Sequence, residues 1–283
     1  MTMNTYQETM RKLYDPENHE VLIASHRGKF SSSVMENTSL AFLTAIGEGA
    51  DMVEMDLEET KDGRIVGHHD DHMKRLFHND GRISDYTLEE LKAMVYNYVG
   101  EICVEGIETF EEILDSLKDK TILVLDKCWD CWDKVYALLK EKDMVDQTIF
   151  KFYLKDEEPM VWAKAHKDCI FIPMCGDPEM FPKLLELREH AGFPAVEILP
   201  HAEDEPIFSD ETFRWLEEHH IKVWCNSLSL ARRLVYGAGY DDLKSLRYGG
   251  DKGWGVLIDK GVQILQTDWP HEVACYLKEK KMR

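Results

Sequence analysis

Short runs of β-branched or apolar residues recur along this chain, at positions 21–25, 52–57, 121–125, 148–152, 170–173, 195–199, 222–225 and 264–267. Between them lie stretches with apolar residues at helical spacing, including 38–48 (Leu40, Ala41, Leu43 and Thr44), 132–141, 178–190 and 210–219. Strand-length runs alternating with helix-length stretches predict βα units around a parallel sheet. Eight such units predict an α/β fold closed into a TIM-type (β/α)8 barrel. No linker rich in Pro, Gly and Ser interrupts the rhythm, so residues 1–283 are expected to form one domain.

One segment breaks the alternation. After the second run comes Thr60-Lys61-Asp62-Gly63-Arg64 and then a further apolar run, Ile65-Val66-Gly67. Asp-Gly between two strand-like runs signals a hairpin, because a tight primed turn needs positive φ at its centre. The return run is therefore antiparallel and not a ninth barrel strand. A two-residue turn at Asp62-Gly63 pairs Lys61 with Arg64, and the same register sets His69 opposite Asp56. Residues 71–106 are polar, with a helix expected at 88–94, capped by Thr87 with Glu90 at the box position, and a second cap at Thr109. Residues at about 60–108 thus form a hairpin and small insertion after the second strand.

Composition narrows the class. With 44% hydrophobic and 31% charged residues the chain is globular, not disordered or collagen-like. Thirty-four Lys and Arg against 54 Asp and Glu leave a net charge of −20. Such a surface repels polyanions, so nucleic acid is not an expected partner, nor is membrane insertion; the oligomeric state stays open. The N-terminus lacks a basic stretch followed by an apolar one, and no apolar run approaches the roughly 20 residues a bilayer needs. Together with an odd seven cysteines, this predicts a cytoplasmic protein with reduced thiols. Cys128 and Cys131 form an isolated C-x-x-C that reads as a buried pair rather than a redox site.

Barrel active sites collect at the C-terminal ends of the strands. Those ends here carry Ser25-His26-Arg27-Gly28, Glu54-Met55-Asp56, Asp126-Lys127, Lys151, Glu197, Trp224-Cys225-Asn226 and Thr267-Asp268. Glu54 and Asp56 are two apart on one strand and share a face, where they repel each other unless a cation lies between them. A hard divalent ion, Ca²⁺ or Mg²⁺, suits such oxygen ligands, with Asp126 as the natural third. His26 and His69 are candidate general acid and base, and Arg27 and Lys127 candidate phosphate ligands. The set describes a phosphate-ester site.

Residues 25–75 resemble the glycerophosphodiester phosphodiesterase family. The resemblance is carried by His26-Arg27-Gly28, Glu36-Asn37-Thr38, the stretch from Gly49 to Leu57 that holds Glu54 and Asp56, Thr60-Lys61-Asp62-Gly63, and His69-Asp70. Val223-Trp224-Cys225-Asn226 is similar to the family's Trp-x-x-Asn strand, and Thr267-Asp268-Trp269-Pro270 to its closing motif. The middle of the chain matches only in rhythm. The resemblance implies metal-dependent hydrolysis of a glycerophosphodiester to an alcohol and glycerol 3-phosphate, and with it a place in lipid metabolism. It makes His26 and His69 the acid/base pair, Arg27 a phosphate ligand, and Glu54 and Asp56 metal ligands; Lys127 and Trp224 are also expected to bind substrate. The family's third strand carries Glu-x-Lys; aligning the lysines puts Leu125 at the Glu position, so Asp126 is expected to take the metal role through a local backbone shift. Met35 stands where the family has proline, and Gln263 where it has Asp. Phe30, Met35 and Ser31-Ser32-Ser33 are expected to shape the alcohol pocket. The alternatives are a related phosphodiesterase acting on lysophospholipid or inositol phospholipid, and a non-catalytic barrel that binds a phosphate ligand.

Overall fold

The structure, a computed structural model, describes residues 5–31, 33–98, 101–102, 106–230 and 234–283. Eight parallel strands close on themselves: Leu22–His26, Met52–Glu59, Ile122–Asp126, Thr148–Tyr153, Ile170–Cys175, Ala195–Ile198, Lys222–Asn226 and Ile264–Thr267. They are called the first to eighth barrel strands below. Closure is made where the first strand pairs with both the second and the eighth, with His26 opposite Glu54 and Ser25 opposite Thr267. All eight predicted runs are strands, and helices Ser39–Gly47, Trp132–Lys142 and Asp210–Glu218 fall on three predicted amphipathic stretches. The fourth, 178–190, begins as a 3₁₀ turn at Pro178–Met180 before the α-helix Phe181–Arg188. Proline lacks the N–H an α-helix interior needs, so the helix starts late.

Period two along the strands separates two cores. Leu22, Ala24, Met52, Ile122, Val124, Ile149, Ala195, Trp224 and Ile264 point inward and fill the barrel, joined from below by Tyr6 and Leu13 of the N-terminal helix Tyr6–Tyr14. The alternate residues, among them Ile23, Val53, Met55, Leu123, Leu125, Phe150 and Phe152, point outward and pack under the helices. Two residues further up the same inward rows stand His26, Glu54, Asp126, Lys151, Glu197, Asn226 and Gln266, nearly all buried. One face of each strand is thus apolar at the base and polar at the top.

The hairpin forms, with a different register. Thr60 accepts from Gly63 and exchanges bonds with Arg64, so three residues, Lys61 to Gly63, make the loop, with Gly63 at φ 80°. The pairing is Leu57 with Gly67, Glu58 with Val66 and Glu59 with Ile65. This is one step from the expected register, because Asp62 Oδ1 accepts from Thr60 and from Leu88 N instead of sitting in a two-residue primed turn. His68, not His69, therefore lies beside Asp56, donating its N–H to the Asp56 carbonyl at 3.0 Å. Both predicted caps are present: Thr87 and Glu90 cap helix Leu88–Lys92, and Thr109 and Glu112 cap helix Phe110–Leu117. The insertion has its own small core of Met73, Leu76, Phe77, Ile83 and Leu91 against Met35 and Val66. Among the described residues no helix is long and apolar enough to cross a membrane.

Candidate active site

The first strand delivers His26 to the mouth, and the chain then turns sharply: Arg27 has φ 54° and Gly28 φ 77°. A Cβ on Gly28 would lie 2.6 Å from the carbonyl carbon of Ala41, so the close approach of this turn to helix Ser39–Gly47 needs glycine. The turn aims the Arg27 backbone N–H at Glu54 Oε2, 3.0 Å away. The guanidinium lies between Glu36 (Nη1 to Oε1, 2.9 Å) and Asp56 (Nε to Oδ2, 3.2 Å). Asn37 locks Asp56 from the other side: its amide donates to Oδ2 at 3.1 Å and its carbonyl accepts from Asp56 N at 3.0 Å.

Both candidate histidines are held the same way. His26 Nδ1 is 2.8 Å from Asp268 Oδ1, and His69 Nδ1 is 2.8 Å from Asp70 Oδ1. An ionised carboxylate only accepts, so Nδ1 carries the proton in each ring and the lone pair is left on Nε2. Asp70 is in turn gripped by Arg75, which also makes two bonds to Glu36. Burial alone would raise the Asp70 carboxyl, but the hydrogen bonds from His69 and Arg75 hold it well below the usual range. Glu36 is likewise held at about 2, its burial outweighed by Arg75 and Arg27. A chain of alternating charge thus runs from Arg27 through Glu36, Arg75 and Asp70 to His69.

Asp126 faces inward without any backbone shift: pairing runs unbroken from Met52 with Ile122 to Asp56 with Asp126. The expected shift is corrected by parity, since Asp126 follows the inward row of Ile122 and Val124 while Leu125 packs outside. Lys127 shares the outward parity. Its ammonium donates to the His69 carbonyl at 2.6 Å and lies 3.6 Å from Asp71, bracing the rim. The ammonium inside the mouth belongs to Lys151 of the fourth strand, 3.0 Å from Asp126 and 2.7 Å from Glu197. Lys151 also lies 5.4 Å above the ring of Trp224, which is fully buried and donates its Nε1 hydrogen bonds to Asn226 and Gln266. The structure therefore places Trp224 beneath the site as its floor. Met35 is buried against the insertion, and Ser32 lies outside the described residues.

The acidic groups suit a hard cation in chemistry. Burial, together with the charges of Asp56 and Asp126, pushes the Glu54 carboxyl well above its usual range. A divalent ion would relieve that repulsion, and all three groups offer oxygen donors. Among the described residues, however, no three His, Cys, Asp or Glu groups already converge as a preformed cage. Asp56 and Asp126 are engaged by Arg27 and Lys151 instead. The donor set thus fits a divalent cation in chemistry, without being a preformed cage.

The Asp268 and Asp70 carboxylates behind the histidines were legible only as strand-end or motif neighbours, and Arg75 not at all. It lies in the insertion, six residues past His69, with nothing local to tie it to Glu36. The six described cysteines are free, and burial raises the Cys128 thiol well above its usual value and the Cys131 thiol to about 12, which suits the buried-pair reading. Cys103 lies outside the described residues.

Residues 26–155 match the glycerophosphoryl diester phosphodiesterase family, and residues 174–277 match a domain of unknown function. A glycerophosphodiester phosphodiesterase of Caldanaerobacter subterraneus subsp. tengcongensis is 37% identical over 107 residues, 37% of this chain and 44% of that protein. One from Bacillus altitudinis is 31% identical over 136 residues, 47% of this chain and 54% of that protein. The chain thus spans about half the length of these relatives. In fold the likeness covers nearly everything. A glycerophosphoryl diester phosphodiesterase from Parabacteroides distasonis superimposes with a TM-score of 0.80 at 21% identity, covering 98% of this chain and 93% of that one. A phosphodiesterase from Oleispira antarctica, solved in complex with the product sn-glycerol-3-phosphate, gives a TM-score of 0.68 at 20% identity, covering 93% and 99%. Residues 26–155 thus match the glycerophosphoryl diester phosphodiesterase family, and the barrel that carries them has the fold of solved phosphodiesterases.

Proposed function

We propose that this protein hydrolyses glycerophosphodiesters to an alcohol and glycerol 3-phosphate, with His26 and His69 as the acid/base pair. The observation that carries the reading is the matched pair of imidazoles, each with Nδ1 on a carboxylate: His26 stands opposite the buried Glu54, and His69 is linked through Asp70, Arg75, Glu36 and Arg27 to the buried Asp56. Arg27, between Glu36 and Asp56, is in place to bind a phosphoryl oxygen. One histidine takes the proton of the nucleophile, either water or the neighbouring glycerol hydroxyl, and the other returns a proton to the departing alkoxide. Glu54, Asp56 and Asp126 would hold Ca²⁺ or Mg²⁺. Such an ion, when bound, polarises the phosphoryl oxygen and offsets charge developing on it. Lys151 keeps Asp126 ionised from within the barrel: burial favours its neutral form, but Lys151 holds it below the usual range. The free cysteines support a reducing, cytoplasmic setting.

The test is turnover of glycerophosphocholine and bis(p-nitrophenyl) phosphate by the whole chain. His26→Ala and His69→Ala should each lose roughly 10² to 10⁴-fold in rate, and excess EDTA should abolish turnover until Ca²⁺ or Mg²⁺ is restored. Wild-type rates in either variant, or full turnover in EDTA, overturn the reading. Product analysis separates free glycerol 3-phosphate from the cyclic phosphate that attack by the glycerol hydroxyl leaves.

A further inference from the structure

Behind the His26–Asp268 pair lies a second carboxylate that the mechanism above does not use. Asp242, on the segment between the seventh and eighth strands, is 1% exposed. It receives four hydrogen bonds and has no cationic partner among the described residues. Ser227 Oγ (2.7 Å), Trp254 Nε1 (2.7 Å) and Thr267 Oγ1 (2.8 Å) donate to its Oδ1. The backbone N–H of Asp268 donates to Oδ2 at 3.1 Å. Thr267 in turn accepts the N–H of Trp269 at 2.9 Å. Three successive residues at the end of the eighth strand, one by its hydroxyl and two by their backbone N–H groups, are therefore pinned directly or through that hydroxyl to a single buried carboxyl group.

A buried, unpaired carboxylate is a costly way to hold a fold together. Burial pushes this one up to about 7 despite its hydrogen bonds. The three contacts at Oδ1 could be made as well by the amide oxygen of asparagine. What the amide cannot do is accept the Asp268 N–H at the other atom, since its NH₂ donates there. The one feature that specifically requires aspartate is the bond that sets the backbone of the residue bonded to His26.

We propose that Asp242 is a positioning residue for the reaction, acting on His26 by fixing Asp268. The inference rests on the reading of His26 as acid or base. Ser227, Asp242, Trp254, Thr267 and Asp268 all fall within residues 174–277. That segment thereby gains a defined part in the chemistry, supplying and aiming the carboxylate for a histidine contributed by the first strand.

The experiment measures kcat and KM for bis(p-nitrophenyl) phosphate in Asp242→Asn, Asp268→Ala and the double variant, with unfolding curves for each. Asp242→Asn is expected to lower kcat about 10- to 100-fold, the scale of losing a supporting shell, with KM changed less than about twofold. On the Asp268→Ala background the same substitution should cost less than about twofold more, since the group it aims is gone. Where Asp242→Asn does not fold, the pair Thr267→Val and Thr267→Ser carries the test: the first loses the hydroxyl and the rate, and the second restores both. An Asp242→Asn enzyme with wild-type kcat, a loss that multiplies fully with that of Asp268→Ala, or equal rates for the two Thr267 variants overturns the inference. His26→Ala separates the two failures. If it loses activity while Asp242→Asn does not, only the positioning role falls; if it keeps the wild-type rate, the reading of the site falls and this role with it.

Discussion

A histidine can serve as acid or base when one ring nitrogen is tied down and the other faces a substrate, and the adjacent pair His68-His69 divides on this criterion. His69 has its carboxylate, Asp70. His68 is 1% exposed, and neither ring nitrogen has a hydrogen-bond partner among the described residues. Burial pushes its pKa down to about 4, from an ordinary 6.5. The fold thus favours neutral His68. Its contribution to stability is complete above pH 6.5 and is lost as pH falls through 4, because the unfolded chain takes up the proton first. The gap between the two values is worth about 3 kcal/mol. His68→Phe, beside Phe77, removes the titrating ring while keeping an aromatic there. Urea unfolding at pH 7 and at pH 4 should show a smaller acid loss in the variant than in the wild type, by about that amount; equal losses would show that His68 does not titrate with folding. A register drawn from a two-residue turn misplaces the two residues, because the three-residue loop shifts it by one; the adjacent Asp70 is the local signal that marks His69.

That shift marks how far local pattern reaches at the scale of elements. The eight strands, the two capped helices and the hairpin were legible because each depends on residues close in the chain: Thr87 with Glu90, Thr109 with Glu112, alternating rows along a strand. The loop register depended on Asp62 finding Leu88, and the inner ammonium on Lys151 reaching Asp126 from the next strand. Period two would have placed Asp126 inward and Lys127 outward without any alignment, because Ile122 and Val124 already point in. The turn after the first strand offers a sharper test of an element junction. Gly28 is left-handed and within 2.6 Å of Ala41 once a Cβ is added, whereas Gly47, at the end of helix Ser39–Gly47, meets nothing within 4 Å. Gly28→Ala should destabilise by about 2 kcal/mol or more and lower turnover, since it displaces the Arg27 turn. Gly47→Ala should be neutral or stabilise by up to about 1 kcal/mol. Chemical denaturation of both variants checks the contrast; equal effects would mean that the close approach is not under steric control.

For the whole molecule, a net charge of −20 surrounds a site that we propose receives a phosphodiester anion. The two scales of electrostatics oppose each other. Close to the reacting centre, Arg27 and Lys151 are buried cations whose low-dielectric setting makes them strong over a few ångströms. Further out, the excess of 54 acidic over 34 basic residues sets up a field that an approaching anion must climb. Salt weakens the second more than the first, because exposed charges are screened beyond a Debye length of about 8 Å at 0.15 M while buried ones are hardly screened. Turnover of bis(p-nitrophenyl) phosphate, a monoanion, should therefore show kcat/KM rising as NaCl is raised from about 0.01 to about 0.15 M, the reverse of the usual steering effect. The change should appear mainly as a fall in KM. Glycerophosphocholine, whose quaternary ammonium cancels its phosphate charge, should show little change over the same range. If kcat/KM for the monoanion instead falls steeply with salt, the cations at the mouth govern the approach, and the acidic surface stands too far from the entry path to matter.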